Sequence, residues 1–142
     1  MAQAEIKETI PVDIEPFYRA ITSYDKYPGF VEGCTQALVT RTNETQAKVD
    51  YKVSMMKDIS YSLEHFEDPA QKSMNWKLIS SDFMKKNTGS WNLRSVGPGQ
   101  TEVNYRLEIE FSFPVPSLIL NRLIKGQLPG MIKNFTKLAQ SL

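Results

Sequence analysis

The stretch Thr101–Phe113, TEVNYRLEIEFSF, shows the clearest alternation of apolar and polar residues in the chain. Polar or charged residues, from Glu102 to Glu110, occupy every second position. The positions between them are apolar: Val103, Tyr105, Leu107, Ile109, Phe111 and Phe113. A period of two is the period of a β-strand, so the pattern predicts a strand with one face on apolar material and the other in water.

Upstream of this strand, five more alternating segments follow one another with only short connections. They are residues 34–42, 46–55, 59–67, 73–80 and 87–95. Short connections with turn residues, such as Gly97-Pro98-Gly99-Gln100, are typical of β-hairpins. The segments therefore predict an antiparallel meander that ends in the strand 101–113.

Both ends of the chain add helical segments to this meander. Residues 5–12 alternate weakly and stop at Asp13, a plausible N-cap for a short helix. Residues 117–142 change to a helical period, and Pro129, flanked by Gly126 and Gly130, should kink or break this helix. We expect one α+β domain over residues 1–142, in which a curved sheet of about seven strands wraps around a long C-terminal helix.

Composition narrows the class of protein. The chain has 142 residues, enough for one domain with its own core, and a formal charge of +1, which gives no general affinity for nucleic acid. Cys34 is the single cysteine, and no apolar run is long enough to cross a bilayer. A reducing, cytoplasmic location is the expectation.

Few residues are candidates for catalysis or metal binding. His65 is the single histidine, so neither a metal site nor a bound cofactor is predicted. Cys34 begins one strand and His65 lies late in another, a separation that neither supports nor excludes contact. Glu108 and Glu110 share the polar face of their strand and are predicted to be solvated. No catalytic residue is proposed, which favours binding over catalysis.

The two ends of the meander differ in character. One end has ordinary polar turns, whereas the other carries methionines, phenylalanines and lysines in residues 55–57, 81–86 and 113–116. Apolar connections at one end suit the mouth of a ligand cavity, and the alternative is that they plug the end of the sheet as core. The predicted gate consists of Met56, Phe83, Met84 and Val115.

The alternation along the strands and the apolar positions of the C-terminal helix also predict which residues form the wall of this cavity. The tyrosines and tryptophans among these residues would offer polar groups within an apolar lining. The predicted ligand-binding residues are Tyr51, Val53, Met55, Tyr61, Leu63, Trp76, Trp91, Tyr105, Leu107, Ile109, Leu128, Met131 and Phe135.

Basic residues are concentrated at the C-terminus. No acidic residue follows Glu110, while Arg122, Lys125, Lys133 and Lys137 fall within about 120° of arc on a regular helix. Such a face could contact an acidic membrane surface or a ribosomal RNA backbone, although plain solvation is the commoner explanation.

One further segment, Tyr27–Cys34, YPGFVEGC, lies between the first helix and the second strand. Together with Gly89-Ser90-Trp91 and the element order, it resembles the START-like helix-grip superfamily, and within it the coenzyme Q-binding and polyketide cyclase/dehydrase group. The resemblance implies a second short helix here, with Tyr27 and Phe30 as further ligand-binding residues in the cavity wall.

The resemblance implies three kinds of function. The first is non-catalytic binding or carrying of a hydrophobic small molecule, such as a lipid or an isoprenoid quinone. The second is an aromatase/cyclase-type enzyme that orients a polyketide-like substrate. The third is association with the ribosome, as in related bacterial toxins, for which the basic helix face would matter more than the cavity.

Overall fold

A computed structural model describes residues 2–29, 31, 33–54 and 58–142. Seven strands form a single antiparallel sheet in the order β1-β7-β6-β5-β4-β3-β2. The strands are β1 (Ala2–Ile10), β2 (Cys34–Asn43), β3 (Gln46–Ser54), β4 (Asp58–Asp68), β5 (Ser73–Ser81), β6 (Met84–Gly97) and β7 (Gln100–Phe111). The predicted meander is confirmed, and β1 completes it by pairing with β7.

Helices follow β1 and β7, as expected. They are α1 (Ile14–Ile21), a 3-10 helix (Tyr24–Gly29), α2 (Ser117–Arg122) and α3 (Leu128–Gln140). The 3-10 helix is the second short helix that the resemblance implied. The α+β helix-grip prediction is therefore confirmed.

The core lies between the concave face of the sheet and helices α1 and α3, which pack against each other. α3 buries one stripe, formed by Leu128, Ile132, Phe135, Thr136 and Ala139. α1 contributes Phe17 and Ile21, neither of which is exposed. The alternation read from the sequence thus places one face of each strand against the helices.

Sheet pairing is incomplete in one place. The ladder between β5 and β6 extends only from Ser73 opposite Asn92 to Trp76 opposite Gly89. Beyond Trp76 the two strands separate, whereas β6 remains paired with β7 along its length. The separation, together with irregular register in β2–β3 and β4–β5, bends the sheet around α3.

Two local predictions differ from the structure in detail. β6 begins at Met84 rather than residue 87, because Met84 pairs with Phe111, so the connection after β5 is only Asp82-Phe83. Asp13 is the N-cap residue of α1, as predicted, but its side chain makes no capping hydrogen bond, and its Oδ1 instead accepts the Gly99 N–H at 2.8 Å.

The C-terminal helix is interrupted. A π-helical turn, Leu123–Gln127, separates α2 from α3 just before Pro129. This confirms the predicted break in the helix. The predicted basic arc assumed a regular helix, and the π turn lies within it. Its four residues, Arg122, Lys125, Lys133 and Lys137, are all exposed. In the described part of the chain, no helix is long and apolar enough to cross a membrane.

Candidate ligand cavity

A cavity of about 180 Å³ lies between the sheet and α3. It reaches the surface at the end where β3 stops, since Ser54 is exposed there and lines it, as does the half-buried Gln127. This end of the sheet also carries the connections 81–86 and 113–116, which contain apolar residues. The volume is well above the roughly 15 Å³ that one water molecule needs.

Most of the wall comes from the predicted residues. Of these, Phe30, Met55 and Met56 lie outside the described residues. The structure brings together around the cavity Tyr27, Tyr51, Val53, Tyr61, Leu63, Trp76, Trp91, Tyr105, Leu107, Ile109, Leu128, Met131 and Phe135.

The predicted gate is only partly at the cavity. Phe83 and Met84 line it, and the Phe83 ring packs edge-on against Phe113, with centroids 4.6 Å apart. The Ser81 hydroxyl oxygen accepts the backbone N–H of both Phe83 and Met84 and holds this turn. Val115 lies between β7 and α2 and is not among the lining residues.

Several lining residues were not in the predicted set. Ile59 follows the parity of β4, and the sequence could have added it. The others are Val31, Cys34, Ser54, His65, Met74, Asn87, Phe111 and Gln127.

Aromatic rings form a connected wall on the sheet side. Trp91 lies 4.7 Å from Tyr105 and 5.8 Å from Phe135 of α3, measured between ring centroids. Tyr27 of the 3-10 helix lies 5.2 Å from Phe135 and 6.0 Å from Tyr51. These contacts join five elements, β3, β6, β7, the 3-10 helix and α3, so the rings have few alternative positions.

Trp76 spans the gap where β5 leaves β6. Its indole N–H donates to Asn87 Oδ1 at 2.9 Å, and both side chains are buried. The indole lies across Gly89, where an added Cβ would stand 2.7 Å from Trp76 Cε2. A glycine is therefore required on β6 for the indole to lie flat against the sheet.

His65 lies deep in the cavity, 2% exposed, and its partners are not charged. Its Nε2 lies 2.9 Å from the Tyr51 hydroxyl and its Nδ1 3.3 Å from Met74 Sδ. Burial, followed by the nearby positive charge of Arg41, lowers the pKa of His65 to about 3. Cys34 also lines the cavity, but its Sγ is 3.7 Å from the Gln36 carbonyl oxygen and burial raises its pKa.

The structure therefore shows no activated Cys-His pair among the described residues. The imidazole is neutral, and the thiol is protonated and directed at a backbone carbonyl. Nucleophilic catalysis requires a base within hydrogen-bond reach of the thiol. Neither group has the partner that this chemistry needs.

A polar clamp lies next to His65, outside the cavity lining. The Tyr24 hydroxyl donates to Glu67 Oε2 at 2.6 Å, and Arg41 makes two hydrogen bonds with the same carboxylate, at 2.9 and 3.1 Å. Tyr24 also stacks on His65, with centroids 4.3 Å apart. The clamp ties the 3-10 helix to β2 and β4.

Comparison with known proteins decides the family. The sequence model described as "Polyketide cyclase / dehydrase and lipid transport" matches residues 10–136, nearly the whole chain. The chain belongs to this family. The family supports a START-like fold that binds hydrophobic ligands.

Two curated members of the polyketide cyclase/dehydrase and lipid transport family are similar to the chain over its full length. The ribosome association toxin RatA of Escherichia coli K12 is 22% identical over 142 residues, which is 100% of this chain and 89% of the relative. The persistence and stress-resistance toxin PasT of Escherichia coli O6:H1 gives the same identity and coverage.

Solved structures agree with the fold. The ZhuI aromatase/cyclase from Streptomyces sp. R1128 superposes with a TM-score of 0.85 at 8% identity, over 97% of this chain and 93% of that chain. A START superfamily protein from Mycobacterium smegmatis gives 0.83 at 14% identity, over 99% of each chain. At these identities the likeness shows a shared fold and nothing further.

Proposed function

We propose that the protein binds and carries a hydrophobic small molecule, such as a lipid or an isoprenoid quinone, in the cavity between the sheet and α3. The observation that supports this most is the cavity itself, because its wall is almost entirely apolar and aromatic and it opens at one end. A ligand that leaves water there gains roughly 25 cal/mol for each Å² of apolar surface buried.

The side chains around the cavity favour carrying over catalysis. The neutral His65 is bonded to Tyr51 and stacked on Tyr24, so it is held as part of the wall. An aromatase/cyclase that used this cavity would depend on the same polar groups. A cytoplasmic location accompanies the carrier proposal, since the buried Cys34 is a free thiol.

A cavity-filling substitution tests the proposal. Val53 is half-buried, lines the cavity and pairs with Ile59 across β3–β4. We expect Val53→Trp to abolish ligand capture, because the indole would occupy the space that the cargo needs. Native mass spectrometry of protein purified from cells should show a bound small molecule in the wild type and none in the variant.

The matched control is Val39→Trp. Val39 is also a strand valine, but it is 37% exposed and does not line the cavity. This variant should retain the cargo. Cargo retained by Val53→Trp at wild-type level would contradict a ligand site in the cavity, as would wild-type protein that carries no small molecule.

Ribosome association is a second candidate. The similarity to RatA, whose name states this association, extends over the whole chain. The exposed Lys133 and Lys137 on α3 offer positive charge outside the cavity, in a region without acidic residues. Contact with an anionic membrane surface would use the same charges.

Salt dependence separates this candidate from the carrier. If the lysines contact ribosomal RNA, the fraction that sediments with ribosomes should fall about tenfold or more between 50 and 200 mM KCl. Lys133→Glu with Lys137→Glu should abolish that sedimentation, whereas the exposed Lys26→Glu should not. If the sedimented fraction depends neither on the KCl concentration nor on the two lysine substitutions, the proposed contact is wrong.

A further inference from the structure

The cavity offers no formal charge to a ligand. Among its described lining residues there is no lysine, arginine, aspartate or glutamate. The titratable lining groups are tyrosines, Cys34 and His65, and burial moves each resolved pKa towards the neutral form, up for Tyr61 and Tyr105 and down for His65. A ligand carboxylate, phosphate or ammonium would be buried there without a partner, which costs several kcal/mol.

Most polar groups of the cavity are already bonded. Tyr27 donates its hydroxyl hydrogen to the Ile21 carbonyl oxygen at 2.6 Å, and the Trp76 N–H is bonded to Asn87. The thioether of Met74 can only accept, so the hydrogen of His65 lies on Nδ1 and Nε2 accepts from Tyr51. These groups have no hydrogen left to donate to a ligand.

Two hydroxyls are different. Tyr61 and Tyr105 line the cavity, and within the described part of the chain neither hydroxyl has a hydrogen-bond partner. The fully enclosed side-chain oxygens that lack a partner there are Glu64 Oε2 and Asn104 Oδ1, so both tyrosine oxygens keep surface that faces open space. They remain available to the contents of the cavity.

Packing holds both rings while leaving these hydroxyls unbonded. The Tyr61 ring lies 5.4 Å from that of Tyr51. The Tyr105 ring lies 5.8 Å from Trp76 and 4.7 Å from Trp91. A held ring with an unbonded hydroxyl is a preorganised donor, and a buried donor without an acceptor carries a free-energy penalty that a ligand can remove.

We propose that the cavity selects uncharged apolar molecules with a carbonyl oxygen, which accepts hydrogen bonds from the Tyr61 and Tyr105 hydroxyls. The proposal rests on the proposed function and narrows it, since it excludes fatty acids and other ligands whose charged group would enter the cavity. The hydrocarbon part of the ligand then packs along Leu107 and Ile109 towards the mouth.

Three probes of equal chain length test this selection: 2-octanone, n-octane and octanoate at pH 8. Binding can be followed by tryptophan fluorescence, because Trp76 and Trp91 are in the wall. Each hydrogen bond should raise the affinity about fivefold. After correction for their different water solubilities, the ketone should therefore bind more tightly than octane by about tenfold or more. Octanoate should bind at least tenfold more weakly than the ketone.

The double variant Tyr61→Phe with Tyr105→Phe should lose this ketone preference while its affinity for octane stays within about twofold. Tyr18→Phe is the matched control, because the Tyr18 hydroxyl is bonded to the Ser73 carbonyl oxygen and does not line the cavity. The control should keep the preference.

The outcomes distinguish a failure of the carbonyl selection from a failure of the proposed carrier function. Octane binding without a ketone preference, a preference that survives in the double variant, or tight binding of octanoate would overturn the carbonyl selection while leaving a hydrophobic carrier. Failure of all three probes to bind would overturn the carbonyl selection and the proposed function together.

Discussion

Replacing Gly89 with alanine should lower the free energy of unfolding by about 2–4 kcal/mol. The added Cβ would lie 2.5 Å from the Arg106 carbonyl oxygen on β7 and against the Trp76 indole on β5. Neither neighbour can yield easily, because Arg106 is paired in the sheet and Trp76 is buried. Urea unfolding followed by tryptophan fluorescence measures the change.

The loss should exceed that of an ordinary overpacked site because Trp76 has a second role. Moving the indole breaks its hydrogen bond to Asn87, which joins β5 to β6 on the cavity side. Asn87 would then be buried without its donor, a further cost of about 1–3 kcal/mol if no water replaces it. The cavity wall would also lose its contact between Trp76 and Tyr105.

Gly130→Ala is the control for this prediction. Gly130 lies in α3, and a Cβ there meets nothing within 4 Å. Alanine is favoured over glycine inside a helix, so this variant should be unchanged or more stable by about 0.5–1 kcal/mol. Equal stability of the Gly89 and Gly130 variants would contradict the role given to the Trp76 indole.

Much of the fold was predictable because the physical signal is local. The period of two in residues 101–113 is visible without any tertiary contact, and β7 accordingly has one buried face. The break near Pro129 was also predictable, since proline disrupts the interior of a helix but is tolerated in its first turn, where Pro129 lies in α3. Strand parity then placed Tyr105 and Leu107 in the cavity wall.

The remaining features depend on register, which a single sequence does not reveal. β6 was predicted to begin too late, because Met84-Lys85-Lys86 does not alternate clearly and only its pairing with β7 makes it a strand. The separation of β5 from β6 has no sequence signal at all. Asn87 was missed for this reason, as its function is to meet Trp76 across that gap.

His65 shows a different limit of the sequence. It was not among the predicted lining residues, and its partners come from β3, β5 and the 3-10 helix. Those elements are far apart in the chain, and only the sheet order brings them together. The sequence alone excludes a metal site built on several histidines, because there is only one. The neutral state of His65 could be deduced only from the structure.

Acid should destabilise the protein through His65. Burial lowers its pKa to about 3 in the folded state, whereas the unfolded chain has the ordinary value of about 6.5. Between these values the unfolded chain binds a proton that the folded protein does not. The stability contributed by neutral His65 is therefore complete above pH 6.5 and is lost as pH falls, by about 3–5 kcal/mol near pH 3.

The charged groups around His65 do not reverse this sign. Arg41 on β2 adds to the lowering, and Glu67, two residues along β4, is engaged by Arg41 and Tyr24. In His65→Gln the amide cannot titrate, so the fall in unfolding free energy between pH 7 and pH 4 should be smaller than in the wild type by about 2–4 kcal/mol. Urea unfolding at four pH values over this range measures both slopes. Parallel slopes would mean that His65 keeps its ordinary pKa in the folded protein. The cavity would then carry a positive charge in mild acid, which contradicts the uncharged lining on which the carbonyl selection rests.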